Sequence, residues 1–164
     1  MPRPAPRKPA GGITAAALTS AGNLLRAAAA ADGRIEATFR DPDALTAFPL
    51  AEQRSSYTEL LDTQAGPQRV RHELTLVISR EAADALLTPA FRRTAAAGVV
   101  AVITMASGER LLAGWSPHLG TQQPLRLACV GMESGTKPLD GTPVAVTFTS
   151  EDADRAAALK PQEP

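Results

Sequence analysis

"VVAVITMASGERLLAGW", residues 99–115, decides how this chain is read. Val99 to Met105 form a nearly continuous apolar run, the pattern of a strand covered on both faces. Ser107-Gly108 supplies a turn, and Arg110 to Trp115 return. The expectation is a hairpin at the centre of the core. On the return arm, alternation puts Leu112 and Gly114 on one face and Leu111, Ala113 and Trp115 on the other. Pro117 then ends the strand before a loop carrying His118. Trp115 is expected to be a packing anchor, because aromatics are only 4% of the chain and one large ring covers much apolar area.

Working outward, the segment before the hairpin changes period. "SREAADALLTPAFRRTAAAG", residues 79–98, offers Ser79 as an N-cap and a stripe of Ala83, Leu86, Leu87, Ala90, Phe91 and Ala95, closed by Gly98. Pro89 interrupts it, and Thr88 can cap a new start, so two short helices or one kinked helix are expected. Arg92 and Arg93 fall near the solvated side, favoured by the helix dipole. Further upstream, "SSYTELLDT" and "QRVRHELTLVIS" flank the turn candidate Ala65-Gly66-Pro67. Val70, His72, Leu74, Leu76 and Ile78 share one face of the second arm. His72 therefore sits on an apolar strip, as a core or rim histidine with a hydrogen bond and no nucleophile fixed beside it.

Downstream, "LRLACVGME" reads as a strand with Leu125, Leu127 and Cys129 on one face, and "VAVTFTS" as a closing strand. At the other end, "ITAAALT" is a short strand, and "RIEATF" alternates after the Asp32-Gly33 turn. Residues 20–31 are ambiguous: the alanines of "NLLRAAAAA" favour a helix capped by Asn23, whereas a hairpin across Asp32-Gly33 requires a strand. "RDPDALTAFPLAEQ" is loop-like. These elements predict an α+β domain, mainly antiparallel β-sheet or a small β-sandwich, with a kinked helical segment packed against it.

The domain is expected over residues 13–150. Residues 1–12, "MPRPAPRKPAGG", hold four prolines, two glycines and three cations and read as a disordered arm, or as one that grips phosphates or a neighbouring subunit. Residues 151–164 read as a polar C-terminal tail with a short helical possibility. Seventeen cations balance 17 carboxylates, so no net field draws the chain to nucleic acid or an anionic membrane. No apolar run approaches the ~20 residues of a bilayer span, and the first residues lack the apolar stretch of a secretory signal. A single cysteine excludes an intrachain disulfide.

Catalytic motifs are then tested. "GMESGTKP", residues 131–138, fails as a phosphate-binding loop, since Thr136 precedes Lys137 and Pro138 follows it. Ser134 and Lys137 have a serine-x-x-lysine spacing without the other elements such acyl-transfer sites need. His72, His118 and Cys129 show no metal-ligand spacing. The expectation is no enzyme, no cofactor and no metal.

"GVVAVITMASGERLLAGWSPHLGTQQPLRL" followed by "SGTKPLDGTPVAVTFTSED" resembles small structural and tail-assembly proteins of tailed bacteriophages and prophages, over about residues 70–155. In those, a hairpin precedes an "SG-x-x-P-x-D" loop and a final strand. The resemblance implies a non-enzymatic virion or tail component that self-associates into rings or tubes by edge pairing and extended loops; with no apolar span or secretory stretch, the expected location is the cytoplasm or an assembled virion. Trp115, His118, Gln122, Gln123, Lys137 and Asp140 are the candidate interface residues. The alternative is a small protein- or ligand-binding module.

Overall fold

The computed structural model describes residues 12–51, 54–62, 69–132 and 142–160. In chain order its strands are β1 (Ile13–Ser20), β2 (Leu24–Ala29), β3 (Ile35–Phe39), β4 (Thr46–Ala47), β5 (Ser56–Asp62) and β6 (Arg69–Ser79). Helices α1 (Arg80–Leu86) and α2 (Pro89–Ala97) follow, then β7 (Val99–Met105), β8 (Arg110–Ala113), β9 (Arg126–Met132), β10 (Pro143–Asp152) and β11 (Ala157–Ala158). The class is α+β, with antiparallel sheets dominant. One sheet has the order β11-β8-β7-β1-β4, a second β5-β6-β10-β9, and β2 and β3 form a separate hairpin.

The two larger sheets face each other, and isolated bridges close them into a flattened barrel. Val99 exchanges both backbone hydrogen bonds with Leu125, joining β7 to the residue that leads into β9. Leu50, just beyond β4, bridges Ile78 of β6. Between the sheets lie Leu18, Ala101 and Ile103 from one side and Leu74, Leu76, Val146 and Phe148 from the other. At the end where β6 leaves and β7 begins, Ala83 of α1 and Ala95 of α2 are buried against this core, and Phe91 packs against Phe48 with centroids 5.7 Å apart. Ser79 and Thr88 cap the two helices by accepting from the Ala82 and Phe91 N–H groups, and Pro89 opens the second.

The apolar run of β7 is covered on both faces. Its alternate residues Val100 and Val102 point away from the first core and form a second, with Leu112, Ile35 and Leu159. That outer cover is the β2–β3 hairpin, so the strand reading of residues 24–29 prevails over the helical one. Asp32-Gly33 makes its turn, and Gly33 takes the positive φ that such a turn needs. Packing of Ile35 and Ala37 on the sheet outweighs the alanines' intrinsic preference.

Three expectations need correction. Residues 151–160 are not a tail: β10 runs to Asp152, β11 pairs with β8, and Leu159 is buried. The loop-like stretch after Arg40 contains β4 and the core residue Phe48. Cys129 is exposed and faces outward, because a register shift between Thr147 and Phe148 moves β9 by one residue: Leu127 opposes buried Phe148, whereas Cys129 opposes Thr147. Residues 1–11 and the sequence's turn candidate Ala65-Gly66-Pro67 lie outside the described residues. No helix among the described residues is long and apolar enough to cross a membrane.

Gly114 redirects the chain at the end of the central hairpin. Its φ is +91°, and an added Cβ would lie 2.7 Å from the Val99 carbonyl oxygen and 3.2 Å from the Leu125 nitrogen, the two groups that close the barrel. Trp115 consequently packs with Leu112 in the second core rather than with Ala113 in the first, contrary to simple alternation. Gly108 has nearly the same φ, +90°, but open space around the Cβ position. Gly108→Ala should therefore cost only the backbone strain, about 1–2 kcal/mol, and Gly114→Ala at least about 2 kcal/mol more through the clash; urea unfolding of the two variants measures the difference.

Candidate functional site

At the end of the barrel opposite the helices, β5 and β6 set Glu59 directly across from His72 and Tyr57 across from Leu74. Alternation turns Tyr57, Glu59 and His72 inward, and a polar cluster forms there with residues that follow β10. The Tyr57 hydroxyl lies 2.8 Å from Glu59 Oε1 and 2.6 Å from His72 Nδ1. His72 Nε2 lies 2.9 Å from the Asp154 carbonyl oxygen. A carbonyl only accepts, so Nε2 carries hydrogen; the Tyr57 hydroxyl donates its one hydrogen to Glu59 Oε1, and Nδ1 lies against the same hydroxyl oxygen. The Arg155 Nε donates to Glu59 Oε2 at 2.8 Å, and the Ala156 backbone N–H to Oε1 at 2.8 Å.

Burial raises the Tyr57 pKa above its ordinary value, and the neighbouring Glu59 carboxylate pushes it further. For Glu59, burial acts upward, but the Arg155 guanidinium, the Ala156 N–H and the Tyr57 hydroxyl together hold it below the usual carboxylate value. Every polar side-chain atom of Tyr57, Glu59 and His72 is engaged inside the protein. The arrangement is a latch that pins residues 154–156 across the barrel end, and Tyr57, Glu59 and Arg155 also line an open cleft there.

The segment so pinned also holds the other histidine. His118 Nδ1 lies 2.6 Å from Asp154 Oδ2, and the hydrogen bond with this carboxylate, together with its charge, raises the His118 pKa. The loop around it is built by its own backbone: Ser116 and Gly120 exchange N–H to carbonyl bonds, and Ser116 Oγ accepts from the Leu119 N–H. Ser150 Oγ donates to the Gln123 carbonyl at 2.8 Å. His118, Gln122 and Gln123 are exposed on this loop, and Trp115 is half-buried at its start. Of the expected interface residues, His118, Gln122 and Gln123 lie on this loop and Trp115 packs into the second core at its start, whereas Lys137 and Asp140 lie outside the described residues. Arg92 and Arg93 are exposed.

Tyr57, Glu59, Asp154 and Arg155 escape a reading of the sequence. Alternation alone places Tyr57 and Glu59 on one face, but which β6 residues they oppose depends on a turn that permits more than one register. Nothing local ties Asp154 or Arg155 to a strand so distant in the chain.

A second feature concerns the borders of the four-stranded sheet. Leu60 and Leu61 on β5 are 64% and 47% exposed, and Val130 and Met132 on β9 are 46% and 58% exposed. Register explains β9: Val130 and Met132 oppose Val146 and Val144 and so lie on the core side of the sheet, at its border, where they remain about half exposed although α2 packs alongside β9. Among the described residues no three His, Cys, Asp or Glu side chains gather as a metal site.

Glu59→Ala should cost about 1–3 kcal/mol, the penalty for unpairing buried partners, and amide exchange should rise first in residues 154–160. The titrations have opposite signs. The His118 pKa is raised in the folded state, so the stabilisation by its Asp154 pair is complete below the ordinary value of 6.5 and fades as pH rises through the folded value. Glu59 is lowered, so its stabilisation is complete above 4.5 and fades as pH falls through the folded value. Urea midpoints of the wild type and His118→Ala should therefore converge above neutral pH, while Glu59→Gln and the wild type converge only in acid.

Comparison of the chain with protein-family models, curated proteins and solved structures finds no match.

Proposed function

We propose that the chain is a non-catalytic structural module that associates with further copies of itself through the borders of its four-stranded sheet. The observation that carries this reading is the exposure of Leu60 and Leu61 on one border strand and of Val130 and Met132 on the other. Border strands usually carry charges or short lengths that discourage pairing. Here both present large apolar groups.

The topology adds a direction. Each neighbouring pair in the order β5-β6-β10-β9 is antiparallel, so β5 and β9 run antiparallel to each other. If β9 of one copy met β5 of the next, the junction would repeat the antiparallel pattern found inside the sheet. Such a head-to-tail contact closes into a ring when the rotation permits and otherwise grows as a filament. The polar latch supports the non-catalytic part, since its basic and acidic groups already bind one another. The most specific form of the reading, a virion or tail-assembly component located in the cytoplasm or an assembled particle, rests on the resemblance of residues 70–155 to tailed-phage proteins.

Light scattering after size exclusion tests the association. The wild type should form a discrete oligomer or a tube, and Leu60→Lys combined with Val130→Lys should raise the concentration of half-dissociation at least about tenfold while leaving the circular dichroism unchanged. A wild type that stays monomeric at millimolar concentration would overturn the proposal.

A further inference from the structure

On the far side of the molecule, the β2–β3 hairpin covers only part of the five-stranded sheet, and a cleft of about 550 Å³ remains beside β3. Ala17 and Val102 form its floor, Phe39 and Leu45 its sides, and Arg110 and Lys160 stand at one end. The wall contributed by β3 is a strand edge. Ala30 donates to the Arg34 carbonyl across the hairpin turn, and Ala28 pairs with Glu36 and Ala27 with Ala37 in that register. The alternation of an antiparallel ladder turns the peptide groups of residues 36 and 38 toward β2 and those of 35, 37 and 39 away from it, toward the cleft.

The chain itself begins to use that edge. Leu159 lies parallel to Ile35, and the Lys160 N–H donates to the Ile35 carbonyl at 2.9 Å. The next outward groups, the N–H and C=O of Ala37, have no strand partner on this side among the described residues. Arg110 and Lys160 have no carboxylate within ion-pair distance among the described residues. Glu36, from the alternate set of β3 side chains, is exposed at the rim of the cleft, outside ion-pair distance of Arg110 and Lys160, whereas Ile35 is buried and Ala37 and Phe39 are half-buried against the sheet.

The geometry points to strand addition: the slot beside β3 accepts an extended segment of another polypeptide, parallel to β3, with alternate small apolar side chains on the Ala17 and Val102 floor and an acidic residue at the Arg110 and Lys160 end. Backbone bonds to Ala37 hold the segment, the apolar floor selects one face of it, and the two cations orient it. The segment continues the parallel pairing that Leu159 starts. This site lies on the other sheet from the borders proposed for self-association and does not depend on them.

The probe is the peptide acetyl-Asp-Val-Thr-Val-Thr-Val-amide, titrated into the isotopically labelled full chain by NMR. Shift changes should map to residues 35–39, 17 and 102, and the Ala37 amide should gain protection from exchange at least about tenfold. Ala37→Pro removes an outward N–H and spares the β2 ladder, so binding should fall at least about tenfold. Arg110→Gln with Lys160→Gln should weaken it about threefold and flatten its salt dependence. Should Ala37→Pro unfold the hairpin, the Ala37 exchange readout on the wild type decides alone. Leu60→Lys with Val130→Lys should bind the peptide like the wild type, which separates failure here from failure of self-association. The inference is overturned if no peptide binds at millimolar concentration, if shifts map elsewhere, if laurate binds the cleft and the peptide does not, or if the peptide binds only a variant truncated after Lys160.

Discussion

Burial of β7 on both faces is the constraint on which the other elements depend. A strand with Val99, Ala101 and Ile103 on one side and Val100 and Val102 on the other cannot be satisfied by a single opposing layer. At roughly 25 cal/mol per Å² of apolar surface, leaving either set in water would forfeit several kcal/mol. The facing sheet covers the first set. The small hairpin, with Leu159 behind it, covers the second. The three sheets are therefore consequences of one sequence run needing two cores.

Closure then follows from where β7 begins. Val99 is bonded to Leu125, and Gly114 passes close enough to both that only hydrogen fits in place of a side chain. The final residues complete the enclosure from the other end: β10 belongs to the four-stranded sheet and β11 to the five-stranded one, so the chain between them must cross the barrel mouth. Backbone groups at a crossing cannot join a ladder, and they need partners elsewhere. His72 and Glu59 are those partners, for the Asp154 carbonyl and the Ala156 N–H. The polar residues in an otherwise apolar lining are thereby explained by backbone demand.

The parts legible in the sequence are those governed by short-range period. The central hairpin, the alternation of Val70 to Ile78, the two capped helices and the strand class of residues 144–150 all follow from patterns within a dozen residues. The polar latch does not, because its members are brought together by register and by a crossing about 80 residues away in the chain. The C-terminal segment was obscured for a related reason: "EDADRAAALK" has a polar composition, yet Asp152 lies in a sheet and Leu159 under a hairpin, positions fixed by tertiary pairing rather than by local preference. At Trp115 alternation fails at one residue, since a positive φ at Gly114 exchanges the two faces beyond it.

The surfaces proposed for binding arise from the same economy of material. Ala16, Ala83, Ala95, Ala101 and Ala113 all lie in the main core, and such small residues allow sheets and helices to approach closely while covering little area beyond the contact. The cover stops short at three places: along β5, along β9, and beside β3, where the hairpin is only two strands wide. A larger domain would extend a strand or helix over each. Among the described residues no further strand or helix remains to do so, and apolar groups at such borders gain most when a second polypeptide covers them.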